Sequence, residues 1–143
     1  MSSSTINRDR INEIIYQLQL YEAHAKNLNE QLNLVQLKLS ELQSAKEALE
    51  NISKMSKGQE VLLPIGGGVY FKSSIIDTQN VFLDLGANVI AVKTTVDALE
   101  IINKNIASLT EAKNKLEKQI SDVLNKSRQL QEVLRKLSQT AKT

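Results

Sequence analysis

The placement of glycine and proline constrains this chain more than any other feature. One proline and five glycines all lie between positions 58 and 86 of the 143-residue sequence. The stretches on either side of this window, 1–57 and 87–143, contain neither type. Because glycine and proline are the strongest interruptions of regular structure, we predict two helical arms, at about residues 8–54 and 94–141, around a β-rich centre at 58–93. A chain of this length has room for one domain.

Apolar residues in the first arm follow a heptad repeat. Its a and d positions are Ile11, Ile14, Leu18, Tyr21, Ala25, Leu28, Leu32, Val35, Leu39, Leu42, Lys46 and Leu49. Spacings that alternate between three and four over so many turns are typical of a coiled-coil seam. An arm of about 45 residues would be roughly 65 Å long at about 1.5 Å per residue, so we expect it to project.

The second arm repeats the pattern, and Thr94 or Thr95 can cap its start. Its seam residues are Leu99, Ile102, Ile106, Leu109, Lys113, Leu116, Ile120, Val123, Ser127, Leu130, Leu134, Leu137 and Ala141. The two arms are nearly equal in length, so we predict that they pair as antiparallel helices within one chain. Residue i then faces roughly residue 148 minus i. Tyr21 would face Ser127, and Ala25 would face Val123, and we expect these small or polar seam residues to loosen the pairing.

The centre reads as two β-hairpins. Strands are predicted at 61–65 and 69–72 around Gly66–Gly68, and at 81–85 and 89–92 around Gly86–Asn88. Pro64 cannot donate to a strand ladder, so it is expected at an edge or an irregularity. So few strand residues cannot form a closed core alone, and we therefore expect oligomerisation through the centre. The residues assigned to that contact are Val61, Leu63, Ile65, Val69, Phe71, Val81, Leu83, Leu85 and Val89.

The free end of the predicted coiled coil combines weak pairing with surplus apolar residues. Ile15, Leu20 and Val133 are apolar but lie off the seam. Apolar surface of this kind usually marks an interaction site. The residues assigned to this tip surface are Ile11, Ile14, Ile15, Leu18, Leu20, Leu130, Val133, Leu134 and Leu137.

The composition offers little for catalysis or for a cofactor. There is no cysteine and only one histidine, His24, so neither a metal-ligand pair nor an activated nucleophile can be assembled from them. Gly66–Gly68 lacks the Lys-Ser/Thr of a phosphate-binding loop. A net charge of +2, no signal segment and no long apolar run favour a cytoplasmic protein that binds neither nucleic acid nor membrane. We therefore expect a protein that is not an enzyme and needs no cofactor.

The same residues resemble the alpha class of prefoldin subunits. The resemblance is most specific at 61–70 (VLLPIGGGVY), at 81–87 (VFLDLGA) and at Asp97-Ala98. The presence of two hairpins, and not one, resembles the alpha class more than the beta class. The low aromatic content resembles archaeal members of the family.

This resemblance implies a fold and a function. The fold would be mainly α with a small β part: a long antiparallel coiled coil whose helices are joined by two β-hairpins, which form a β-barrel body on oligomerisation. The partners would be prefoldin beta-type subunits, in a hexamer of two alpha and four beta chains. The coiled-coil tips would hold non-native polypeptides without ATP and deliver them to a group II chaperonin. The alternative is a structural protein that forms homo-oligomeric filaments or scaffolds through its hairpins.

Overall fold

A computed structural model describes residues 2–141. In chain order its elements are helix α1 (Ser2–Ser53), strands β1 (Glu60–Gly66), β2 (Val69–Ser74), β3 (Asn80–Gly86) and β4 (Val89–Thr94), and helix α2 (Thr95–Ala141). The predicted fold class, two long helices joined by two hairpins, is confirmed. The interpretation of the whole sequence as one domain includes Met1, Lys142 and Thr143, which lie outside the described residues.

Helix α1 begins earlier than its heptad pattern indicated. It starts at Ser2, whereas the prediction placed its start near residue 8. The intervening residues contain no glycine or proline to interrupt the helix, although they contribute little to the seam. The helix ends at Ser53, where the Lys54 amide donates to the Asn51 carbonyl at 3.1 Å and tightens the last turn.

The start of α2 is held by two neighbouring threonines. The Thr94 hydroxyl accepts a hydrogen bond from the Asp97 amide at 3.1 Å, which is the predicted helix cap. Thr95 is buried, and its hydroxyl donates to the Thr78 carbonyl at 2.9 Å. Its amide donates to the Gln79 carbonyl at 2.7 Å. The first residue of α2 is therefore fastened to the segment that enters the second hairpin.

The strands form two separate antiparallel hairpins. β1 pairs with β2 and β3 pairs with β4, and each predicted strand lies within an observed one. In the first hairpin the register shifts between Pro64 and Gly66, so the irregularity predicted at Pro64 is confirmed. The second hairpin has the same shift between Asp84 and Gly86.

Both hairpins close through two residues in the left-handed backbone region. These are Gly67 and Gly68 in the first hairpin, with φ of 60° and 75°, and Ala87 and Asn88 in the second, with φ of 51° and 63°. Positive φ at both central residues is the geometry of a type I′ turn, which matches the twist of the strands. Glycine adopts this conformation without steric cost, whereas in Ala87 the Cβ comes close to the carbonyl oxygen and makes the conformation less favourable.

The two hairpins are a tandem structural repeat. Every ladder pair of the first hairpin recurs 20 positions later in the second hairpin. Glu60 pairs with Ser74, for example, and Asn80 pairs with Thr94. The hydrogen bond from the Ile75 amide to the Gln59 carbonyl recurs at Thr95 and Gln79. The aligned positions with identical residues are Gln59/Gln79, Val61/Val81, Leu63/Leu83, Gly66/Gly86, Val69/Val89 and Asp77/Asp97. The chain thus presents one strand-turn-strand unit twice.

The chain divides into two compact units. The terminal unit combines residues up to 37 with residues from 110 onward, and the central unit is residues 38–109. In the terminal unit Ala25, Leu28 and Val123 form a buried cluster, with Tyr21, Leu116 and Ile120 packed against it. Since 25 and 123 sum to 148, this cluster has the predicted antiparallel register.

The central unit has a core of its own. Leu39 of α1 is buried there, as are Thr95, Ala98 and Ile102 in the first turns of α2. Ala98 has no exposed surface, so the small residue permits a close approach by its neighbours. The hairpins contribute little to this core, since most of their side chains are exposed.

Candidate functional site

The two hairpins expose an unusual amount of apolar side chain. We define the hairpin surface as the residues Leu62, Leu63, Ile65, Val69, Tyr70, Phe71, Phe82, Leu85, Val89, Ile90 and Val92, each of which is exposed. Contiguous apolar surface on a small chain usually marks an interaction site. This surface is the first candidate site.

The residues assigned to oligomerisation fall into two groups in the structure. Six of them belong to the hairpin surface: Leu63, Ile65, Val69, Phe71, Leu85 and Val89. The other three, Val61, Val81 and Leu83, are half-buried. In the second hairpin, Leu83 lies opposite Ala91 and lines a cavity of about 710 Å³ with Leu42 of α1 and Ile102 of α2. Part of the assigned set therefore packs toward the chain's own helices.

The opposite face of the second hairpin carries residues that the sequence analysis missed. Phe82 pairs with Val92 across the ladder, and Ile90 lies on the same face opposite Asp84. Phe82 is 80% exposed, the most exposed side chain of the hairpin surface. Successive side chains of a strand point to opposite faces of the sheet, so Phe82 lies on the face opposite Val81 and Leu83. This alternation was the signal in the sequence that could have identified Phe82.

Both hairpins also have open edges. Within residues 2–141 each sheet contains only two strands, so the outer edge of every strand carries backbone groups with no neighbouring strand in this chain. Open edges beside apolar side chains favour pairing with strands of another chain. The hairpin surface is thus suited to strand addition as well as to side-chain packing.

The second candidate site lies in the terminal unit. Of the residues assigned to the tip, Ile14 is buried and Ile15 and Leu20 are exposed. The remaining assigned residues are half-buried: Ile11, Leu18, Leu130, Val133, Leu134 and Leu137. Most of the assigned residues therefore form the seam between the helices, and only a minority face outward.

Other side chains extend the outward-facing apolar surface of this unit near the tip. Ile6, Tyr16 and Leu124 are exposed and were not assigned to the tip. We define the tip surface as Ile6, Ile15, Tyr16, Leu20 and Leu124. All five are apolar or aromatic and lie off the heptad seam, and this combination was the signal in the sequence that could have identified them.

At Ala25 the seam is buried and also has a cavity beside it. Looser pairing was predicted there, yet Ala25 and Val123 are both 8% exposed and form part of the buried cluster. An alanine in a seam lets the helix backbones approach, which compensates for its small volume. A cavity of about 200 Å³ nevertheless lies against this pair, lined by Ala25 and Val123 together with Tyr21 and Ser127, among other residues, and it supports the looser pairing predicted for this part of the seam.

The carboxylates of the centre hold turns and do not form an acid-base pair. Asp77 accepts hydrogen bonds from the Gln79 amide at 2.8 Å and from the Asn80 amide at 3.1 Å. These bonds, the one from Gln79 first, hold the pKa of Asp77 below its ordinary value. Asp84 accepts from the Gly86 amide at 2.8 Å. These are the local roles expected of aspartate in turns.

Other kinds of site find little support in the described residues. Among residues 2–141, no three His, Cys, Asp or Glu side chains are grouped so as to hold a metal ion. No helix in that range is both long and apolar enough to cross a membrane. The basic end of α2 includes an ion pair, in which Arg135 donates to Glu132 at 2.6 Å and thereby lowers the pKa of that carboxyl.

Comparison with known proteins agrees with this architecture. A family model described as Prefoldin subunit matches residues 21–140. The chain is 31% identical over 134 residues to a protein named Prefoldin subunit alpha from Pyrococcus horikoshii, covering 88% of this chain and 90% of that protein.

Two solved structures share the fold at lower sequence identity. A cryo-EM structure of filamentous PFD from Methanocaldococcus jannaschii has a TM-score of 0.67 at 21% identity, covering 80% of this chain and 95% of that one. The crystal structure of the prefoldin beta subunit from Thermococcus strain KS-1 has a TM-score of 0.60 at 20% identity, covering 89% of this chain and 90% of that one. With two hairpins, a paired-helix unit and this match over most of its length, the chain belongs to the prefoldin family as an alpha-class subunit.

Proposed function

We propose that this chain is a subunit of an ATP-independent co-chaperone that captures non-native polypeptides and delivers them to a group II chaperonin. The observation that carries the proposal is the tip surface: exposed apolar side chains on a paired-helix unit whose seam is formed by other apolar residues. Non-native polypeptides expose apolar segments that folded proteins bury, and such segments fit this surface. The chain acts as a binding protein in the cytoplasm, with no catalytic step and no cofactor.

The hairpin surface is assigned to assembly. Prefoldin beta-type subunits would add strands to the open edges and cover the exposed apolar faces, giving a β-barrel body in a hexamer of two alpha and four beta chains. The tandem repeat supports this assignment because it presents two similar edges and two similar turns per chain. Several tip surfaces in one assembly would bind one client with avidity, although each contact is weak.

Truncation separates the two surfaces. Removal of residues 1–20 and 130–143 deletes most of the tip surface and leaves both hairpins intact. The truncated chain, mixed with a prefoldin beta subunit, is expected to form a hexamer but to lose suppression of client aggregation, measured by light scattering. Suppression equal to that of the full-length assembly would refute the assignment of client binding to the tips.

The structural alternative makes a different prediction for the chain alone. A protein that builds filaments through its hairpins would form long homo-oligomers without any partner. A small species that becomes a hexamer only when a beta subunit is added supports the co-chaperone. Sizing the purified chain, by light scattering coupled to gel filtration, distinguishes these outcomes.

A further inference from the structure

Two leucines of α1 are exposed far along the helix from the tip surface. Leu34 is 68% exposed and Leu37 is 64% exposed, and both belong to the terminal unit. In the heptad that starts at Ile11 they occupy positions c and f, which face water in a two-stranded coiled coil. Neither the seam nor the tip surface therefore accounts for them.

A groove lies beside Leu34; Leu37, about one turn further along α1, does not line it. Its volume is about 490 Å³, and it is bounded by Leu34 and Val35 on α1 and by Ala112 and Leu116 on α2, with Gln31, Lys115 and Gln119 at its margins. The small side chain of Ala112 leaves room between the helices. We call this site, together with Leu37, the mid-helix groove.

On α1 the groove is flanked by many amides and few charges, whereas on α2 the charged Lys115 lines it. Between positions 27 and 37 the only charged residue is Glu30, while amide side chains stand at Asn27, Asn29, Gln31, Asn33 and Gln36. An amide side chain offers both a hydrogen-bond donor and an acceptor. The two amides that line the groove, Gln31 and Gln119, can pair with the backbone of an extended peptide whatever its sequence, and Leu34 can hold one of its apolar side chains.

The size of the groove argues against a stable second copy of this chain as its occupant. Specific interfaces bury about 600 Å² or more on each partner. Two leucines and one short groove offer much less than that. A small contact that is mostly apolar is instead suited to weak binding of many different segments.

The groove is also aligned with the tip surface. Leu20 and Leu34 both occupy heptad position c and lie two heptads apart on α1. At about 1.5 Å per residue they are separated by roughly 21 Å along the helix. An extended peptide covers that span with about seven residues, so one client segment can reach both sites.

We propose that the mid-helix groove is a second client-binding site, which takes an extended apolar segment of the same non-native polypeptide that the tip surface holds. This inference rests on the proposed function, because it requires a client at the tip. Occupation of both sites by one chain adds avidity without any further subunit.

The test uses the full chain assembled with a prefoldin beta subunit and, as client, fluorescently labelled, reduced and carboxymethylated α-lactalbumin, which stays unfolded. Affinity is measured by fluorescence anisotropy for Leu34→Gln with Leu37→Gln, and for Ile15→Gln with Leu20→Gln. Leu34→Met with Leu37→Met is the matched control, because it keeps apolar side chains at both positions. Circular dichroism checks that each assembly retains its helices.

A photo-crosslinking residue provides a direct readout that keeps Leu34 in place. It is introduced at position 37, at position 20, and at Ser121, which is exposed on α2 and does not line the groove. Client crosslinks are expected from positions 20 and 37 and not from position 121. The glutamine pair at 34 and 37 is expected to weaken binding by about tenfold, and the methionine pair to bind like the original chain.

The failure of this inference differs from the failure of the proposed function. Crosslinks from position 20 alone, with unchanged affinity in the 34/37 glutamine pair, would overturn the second site and leave the tip site standing. Unchanged affinity in both glutamine pairs, with no crosslink from position 20 or 37, would overturn both.

Discussion

Phe82 on β3 lies directly opposite Val92 on β4, and both side chains are exposed, by 80% and 60%. Cross-strand pairs of an aromatic and a β-branched residue stabilise a hairpin, yet this pair covers neither partner from water. Leu83, the next residue along β3, lines a cavity between the hairpin and the helices. The second hairpin therefore has one face toward its own chain and one face available to another chain.

Replacing Phe82 with aspartate is expected to block assembly without unfolding the chain. In the isolated chain an aspartate at this exposed position stays solvated, whereas in an assembly it would be buried without a partner, at a cost of several kcal/mol. Mixing the variant with a prefoldin beta subunit and sizing the product tests this. A normal hexamer from Phe82→Asp would place the subunit contact elsewhere.

The matched comparison is Leu83→Asp on the other face of the same strand. Its side chain is half-buried in the isolated chain, so the charge is expected to lower the stability of the chain itself as well as to prevent assembly. Thermal unfolding of the two isolated variants distinguishes them. Equal melting temperatures would show that the two faces of β3 are equivalent.

The sequence predicted the periodic parts of this structure well. The seam register that pairs Ala25 with Val123 follows from the heptads, and the strands follow from the glycines around them. Periodicity could not decide which face of β3 is covered, because Val81-Phe82-Leu83 is apolar on both faces. That choice depends on where the helices lie, which is a tertiary contact and not a local preference.

The tip was less predictable for a related reason. Composition does not distinguish an apolar residue at heptad position a or d from one at position c or f. The residue at a or d packs against the other helix, whereas the residue at c or f is exposed. Ile14 is accordingly buried, while Tyr16 and Leu20 are exposed. The tandem repeat of the hairpins was also difficult to recognise in the sequence, since most of the aligned positions carry different residues. The repeat is recognised from the strand register, which is the same in both hairpins.

The turn of the second hairpin is expected to gain stability from Ala87→Gly. Ala87 has φ of 51°, and the left-handed conformation costs a residue with a Cβ about 1 kcal/mol relative to glycine. Part of this gain is offset by the greater freedom of glycine in the unfolded chain. We expect a net increase of about 0.5 kcal/mol in the free energy of unfolding, measured by urea denaturation.

The first hairpin supplies the matched control for the turn. Gly67 occupies the equivalent position with φ of 60°, and a Cβ there would meet nothing within 4 Å. Gly67→Ala is therefore expected to destabilise by about 0.5 kcal/mol, because a backbone strain of about 1 kcal/mol is partly offset by the lower freedom of alanine in the unfolded chain. Changes of the same sign in the two variants would contradict the turn assignment.

Thr95 is expected to stabilise the junction between the second hairpin and α2 through its hydroxyl. Thr95→Val keeps the shape of the side chain but removes the donor to the Thr78 carbonyl. Because Thr95 is only 4% exposed, the loss should lower the free energy of unfolding by about 1–2 kcal/mol. Thr95→Ser keeps the hydroxyl and measures the cost of losing the methyl group alone, and a valine variant as stable as the original chain would show that the bond contributes nothing.

Acid is expected to weaken the link between the two hairpins through Asp77. Hydrogen bonds from Gln79 and Asn80 hold the pKa of Asp77 below its ordinary value. A carboxyl whose pKa is lower in the folded state stabilises the fold above its unfolded pKa, and that contribution disappears as the pH falls through the folded pKa. Asp77→Asn should therefore lower the melting temperature of the isolated chain at pH 7, and this deficit should shrink toward about pH 2 as the Asp77 carboxyl becomes protonated. Thermal unfolding followed by circular dichroism at the two pH values measures the difference, and an equal deficit at both would mean that the charge of Asp77 plays no part.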